Sequence, residues 1–263
     1  MPGRYGNTCA GDRSCKAVPG AYGGEDAARA AGSMTILEAL APLLATGAGS
    51  ALLGAALRRR SPGRWLRLVI LLALLGSEGV VLLWPLVIHA WSPATTLPLQ
   101  LSDVATLVCA ASLVAPGADR LRELAYLWSV PAGLLGLAFP AIGASAPSPL
   151  FYAFYVDHGT LLCYGVLLGL DRTLRLQPLS AVRAFSATVI WGVIAGVANL
   201  ATGGDYMFVR EPPPTWSPLQ LMGPWPWYVF SAAGLALMVF AILTWPKLAR
   251  SAASAKSPSS AEA

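Results

Sequence analysis

Two short stretches hold the side chains best suited to chemistry. In LPLQLSDVA, Leu97 to Ala105, a hydroxyl (Ser102) stands beside a carboxylate (Asp103) at the start of an apolar run. In FYVDHG, ending at Gly159, the pair Asp157 and His158 is set into a second apolar run. Ionisable groups are expensive in lipid, so inside an apolar span they mark function by default. A serine hydroxyl is a weak nucleophile at neutral pH and needs an adjacent base, a task to which histidine is suited. Ser102 and His158 fit those two roles from different helices, as sites in helical bundles are built. Asp157 is poorly placed to orient His158, because neighbouring helical residues do not face each other. Asp103 or Glu78, from other helices, suits that role better.

The same residues admit readings without covalent chemistry. Glu78, Asp103, Asp157 and His158 suit a proton or ion relay, as in a transporter or a lipid- or ligand-binding membrane protein. The plainest reading makes Ser102 a helix-to-helix hydrogen bonder, His158 a satisfied buried histidine and Glu78 a buried neutral acid. Cys109 follows Ser102 by two turns on a similar face, but buried cysteines usually behave as small hydrophobes.

These residues need a frame, and the composition says which kind. Of 263 residues, 56% are hydrophobic and 12% charged, with a mean hydropathy of +0.59. A soluble domain carries about 25% charged residues. The expected class is therefore an all-α, polytopic membrane protein. Seven apolar segments, at 35–57, 66–91, 97–115, 121–142, 150–170, 178–200 and 226–246, predict a bundle of seven transmembrane helices spanning 34–247. The third is the shortest. Residues 1–33, rich in Gly and Ala with mixed charge, read as a disordered tail, and 248–263 as a cytoplasmic one. No signal peptide is visible, and Met34, which opens the first span, is an alternative start. Gly192 and Gly196 form a GxxxG that suits close helix packing.

The net charge of +5 is not a nucleic-acid footprint, because the basic residues lie mainly between the spans. Arg58, Arg59, Arg60, Arg64 and Arg67 follow span one, Arg120 and Arg122 follow span three, and Arg172, Arg175 and Arg183 follow span five. Lys247, Arg250 and Lys256 close the chain, so positive-inside logic predicts an outside N-terminus and a cytoplasmic C-terminus. Ser102, Asp103 and His158 then converge on the outward-opening half of the bundle. Asn199 and the loop GGDYMF, with Asp205 and Tyr206, meet them there, and Glu78 lies deeper. The outer loop continues through EPPPTW and GPWPWYV, whose prolines stiffen it and whose Trp225, Trp227 and Tyr228 suit an interfacial belt. No CxxC or His/Cys cluster is present, so no metal and no cofactor is expected, and Cys9–Cys15 is a weakly supported disulfide. A retinal protein would need a lysine within the last span, and Lys247 follows it.

LPLQLSDVA, YLWSVPAGLLGLAFP, FYVDHG, NLATGGDYMF and GPWPWYV, in this order, resemble the YwaF-like bacterial integral membrane family, whose eukaryotic relatives are of the transmembrane protein 164 type. The resemblance runs over roughly 35–247. It implies a bacterial cell-membrane protein whose partners are membrane lipids, with a phospholipid or lysophospholipid as substrate. The eukaryotic relatives imply acyl transfer through an acyl-enzyme. The wider fold resembles the androgen-induced-gene type hydrolases of fatty-acid esters. Ser102 falls on the nucleophile position of an LPxHLC-like motif, and His158 on the family histidine. Here Gln100 stands for the motif's His, Ser102 for its Cys, and Asp205 for an expected Asn, which favours hydrolysis over transfer. Ser102, His158 and Asp103 are thus the candidate catalytic residues. Gln100, Glu78, Asp157, Asn199, Asp205 and Tyr206 are candidate binding residues, with Gln100 or backbone donors near Pro98 serving the oxyanion.

Overall fold

The structure, a computed structural model, describes residues 64–144 and 148–255. The expected first span, the N-terminal tail and Cys9–Cys15 lie outside the described residues. Among those described, the chain is helical with no strand: α1 (Arg64–Val87), α2 (Leu101–Val114), α3 (Asp119–Ala138), α4 (Pro149–Leu170), α5 (Ser180–Thr202) and α6 (Trp227–Ala255), with 3-10 turns at Tyr206–Phe208 and Pro218–Leu221. Four of these helices, α1, α4, α5 and α6, are long and apolar enough to cross a membrane.

The other two differ from the sequence expectation for identifiable reasons. Pro98 keeps Leu97–Gln100 out of the helix and Ala115-Pro116-Gly117 stops it, so α2 has 14 residues. At about 1.5 Å per residue this is about 21 Å, short of the ~30 Å hydrocarbon core. α3 opens with Asp119, Arg120, Arg122 and Glu123, which lower its hydropathy. α6 continues past Pro246 to Ala255, into the segment expected as a tail.

The core forms where α3 and α4 pack closely, flanked by α1 and α2. Glycines make that approach possible. A Cβ on Gly133 of α3 would lie 2.6 Å from the Leu162 backbone nitrogen, and one on Gly165 of α4 would lie 2.5 Å from Ser129 Oγ. Small residues at such seams let helix backbones come together where no hydrophobic effect drives them. Around the seam lie Leu74, Ala105, Cys109, Leu127, Trp128, Leu161 and Tyr164, all buried. Ser112 and Tyr164 hydroxyls bond at 2.8 Å between α2 and α4.

One end of the bundle is held by charge. Buried Glu123 accepts hydrogen bonds from Arg183 at 3.1 Å, Arg120 at 3.3 Å and Ser180 Oγ at 2.9 Å, tying the start of α3 to the start of α5. Arg122 pairs with Asp171, and Lys247 Nζ donates to the carbonyls of Leu168, Asp171 and Leu174 beyond the end of α4. A cation on the exposed carbonyls of a helix C-terminus is favourable both as donor and against the helix dipole.

α5 lies at the periphery and turns Val189, Ile190, Val193, Val197 and Leu200 outward, the pattern of a lipid-facing helix. Its GxxxG forms no seam with another described helix. Among the described residues nothing comes within 4 Å of a Cβ on Gly196, and only Met207 Cε, at 4.0 Å, reaches one on Gly192. Gly203, at φ 75°, ends α5 in the left-handed conformation that a helix C-terminus favours for glycine.

Candidate functional site

α4 divides its two ionisable neighbours between different partners. Successive residues on a helix point about 100° apart, so Asp157 and His158 cannot share a face. Asp157 faces α1 and α2: its Oδ1 accepts from Thr106 Oγ1 at 2.7 Å and from Ser77 Oγ at 3.3 Å. His158 faces α3, where a Cβ on Gly136 would collide with the imidazole. Gly136 is thus the notch that seats the ring.

The ring is oriented by its own helix. Nδ1 lies 2.9 Å from the Phe154 carbonyl, and the ring stacks on the Phe154 ring with centroids 4.1 Å apart. A carbonyl can only accept, so Nδ1 carries the hydrogen and the lone pair sits on Nε2. Asp157 Oδ2 is 3.7 Å from Nδ1, beyond hydrogen-bonding reach, so Asp157 does not orient the ring.

Ser102 and Asp103 occupy the first turn of α2. Asp103 Oδ2 accepts the Gln100 backbone N–H at 2.9 Å, reaching back over the helix start as a capping carboxylate does. Its other oxygen is 3.4 Å from Ser102 Oγ. No hydrogen bond among the described residues joins Ser102 to His158: the serine bonds Asp103, and the histidine bonds Phe154. Glu78 is buried in α1, next to Ser77, which bonds Asp157.

The remaining candidates dock the loop that follows α5. Asn199 and Tyr206 pair through the tyrosine's backbone, Nδ2 donating to its carbonyl at 3.0 Å and Oδ1 accepting its N–H at 2.7 Å. Tyr206 is itself buried, its hydroxyl donating to the Pro93 carbonyl at 2.7 Å and accepting the Leu97 N–H at 2.9 Å. Gln100 Oε1 accepts the Met207 N–H at 2.8 Å, which ties its side chain to the loop. Asp205 accepts the N–H groups of Arg210 at 2.9 Å and Glu211 at 3.2 Å, and burial raises its pKa above the usual carboxylate value. Trp191 Nε1 donates to the Leu99 carbonyl at 3.2 Å, and Tyr228 Oη to that of Phe208 at 2.7 Å. These bonds fasten residues 203–209 against the approach to α2.

Sequence reasoning missed Ser77, Thr106, Gly133 and Gly136. The hydroxyls carry no periodic signal, whereas Gly133 and Gly136 stand one turn apart in a motif quoted only for its resemblance. A cleft of about 300 Å³ between α3, α4 and α6, lined by Tyr126, Val130, Gly169, Leu243 and Lys247, lies toward the Glu123 end and away from this chemistry. Among the described residues no group of three His, Cys, Asp or Glu side chains is arranged to hold a metal.

No curated protein and no solved structure matches the chain. A family profile does, over residues 31–244, most of the chain's length, so this integral membrane protein belongs to the TMEM164 family.

Proposed function

We propose that the chain is a seven-helix lipid acyltransferase or lipid-ester hydrolase of the YwaF-like bacterial branch, with Ser102 as nucleophile and His158 as base. Its N-terminus is outside, its C-terminus cytoplasmic, and its site opens to the outer leaflet, a reading supported by the positive-inside bias of the arginine-rich loops. The substrates are membrane phospholipids or lysophospholipids.

The observation that carries the reading is the posture of His158. The ring folds back over Phe154, one turn toward the start of α4, and its basic nitrogen is Nε2. Thr106 bonds Asp157, so Ser102, one turn nearer the start of α2, sits about 6 Å along the axis from that level. Along the bundle axis the ring therefore lies on the serine's side of Asp157. The α2–α3 hairpin agrees. Cys109 Sγ is 3.9 Å from the Ala125 carbonyl, and two turns along from both residues Ser102 comes level with Ala132, between whose neighbours Gly133 and Gly136 the histidine packs.

In this mechanism Ser102 Oγ attacks the acyl carbonyl and its proton passes to His158 Nε2. The leaving alkoxide then takes that proton, and a lysolipid or water releases the acyl group. The N–H groups at the start of α2 serve the developing oxyanion, helped by the helix dipole. Asp103 keeps that turn in shape by capping it. Labelling with a lipid-like, serine-reactive probe tests the reading. Ser102→Ala and His158→Ala should each abolish labelling in folded, monodisperse protein, and the double variant should be no worse, since a catalytic unit is non-additive. Undiminished lipid turnover in Ser102→Ala refutes it.

A further inference from the structure

Ser77, the neighbour of Glu78 in α1, and Thr106, one turn on from Asp103 in α2, both bond Asp157 of α4, so three carboxyl groups are gathered in one region of the bundle. Glu78 and Asp157 are each only 5% exposed. Among the described residues no Lys or Arg pairs with any of them; the basic side chains with ion pairs gather at the Glu123 end. Three uncompensated negative charges in so dry a place are untenable, so something positive must be bound.

The hydrogen-bond inventory says where. Asp157 Oδ1 is satisfied by Thr106 and Ser77. Asp103 takes the Gln100 N–H and the Ser102 hydroxyl. Glu78 Oε1 is fully buried and has no hydrogen-bond partner among the described residues. The other titratable groups nearby are turned to α3: His158 packs against Gly136 with Nδ1 on the Phe154 carbonyl, and Cys109 Sγ lies against the Ala125 carbonyl.

We propose that these three carboxyl groups form a buried proton-binding site, with Glu78 Oε1 carrying the exchangeable proton. The step is simple: hydronium gives a proton to Glu78, one O–H bond forms, water is left, and the negative charge of the cluster falls by one. Asp103, at the start of α2, is the member nearest the surrounding loops and gives the proton its route. The site shares Asp103 with the turn that carries Ser102, but its exchangeable proton is on Glu78.

Infrared spectroscopy of the purified, full-length protein in detergent, in H2O and D2O at neutral pH, is the test. Wild type should give a protonated carboxylic C=O band that shifts in D2O. Glu78→Gln should remove it, whereas Ser102→Ala should leave it, so the two readings fail separately. If Glu78→Gln does not fold, the wild-type spectrum still decides, because absence of any such band overturns the proposal. A band unchanged in folded Glu78→Gln does so too. Thermal stabilisation by sodium chloride over choline chloride at equal ionic strength would assign the charge to sodium and overturn it as well.

Discussion

The seat of His158 depends on one missing methyl group. A glycine inside a helix normally weakens it by about 1 kcal/mol relative to alanine, so Gly136→Ala on an open helix face would stabilise. Here the added Cβ enters the imidazole, and the loss from overpacking, about 1–3 kcal/mol, outweighs the gain. Gly136→Ala should therefore lower Tm and displace the ring, and probe labelling should fall with it. Gly196→Ala, where nothing described lies within 4 Å, is the control and should leave Tm unchanged or raised. An unaffected Gly136→Ala would mean that the ring does not rest in that notch. The inward turn of His158 was legible in the sequence, because a histidine cannot face lipid cheaply. The notch was not, since in one sequence a helical glycine reads only as a weak helix former. Ser77 and Thr106 were equally silent, because a hydroxyl in a helix can satisfy itself on a carbonyl one turn back. Ser77 has the Ala73 carbonyl at 2.8 Å as such a partner.

At the scale of elements, the post-α5 loop shows what local chemistry does to a long connection. Gly203 turns the chain out of α5, Gly204 slips against the Ala94 backbone, and Asn199 catches both backbone groups of Tyr206. Met207 and Phe208 then take left-handed φ values of 58° and 51°, conformations costly for non-glycine residues and held by the bonds around them. Asn199→Ala removes two of those bonds at a buried position, and the expected loss is about 1–3 kcal/mol. Limited proteolysis should then cut within 203–211 while the helices survive, and a cutting pattern like that of wild type would count against the docking. The apolar spans correctly located the described helices, since periodicity and length carry that signal. The boundaries of α2 were less legible. Leu97 to Ala115 is one apolar run, and only Pro98 and the Pro116-Gly117 pair mark how little of it is helix. Which group each loop residue would meet, such as Gln100 with Met207, is a property of tertiary packing and has no sequence signature.

For the whole molecule, the class was plain from composition, and membership of the TMEM164 family agrees with it. The placement of charge adds an axis: the Glu123–Arg183–Arg120 network and the Lys247 cap lie at one end, and Ser102, Asn199 and Tyr206 toward the other. If positive-inside logic holds, single cysteines at 171–177 should be labelled only from the cytoplasm and those at 211–222 only from outside. The reverse pattern would turn the site toward the cytoplasm. The account as a whole rests on whether Ser102 forms a covalent bond with His158 as its base. The most direct measurement is peptide mass spectrometry of the membrane protein after reaction with the lipid-like serine-reactive probe. The adduct should sit on Ser102, and folded His158→Ala should carry none. An adduct elsewhere, or one on Ser102 that persists undiminished in His158→Ala, would contradict the account.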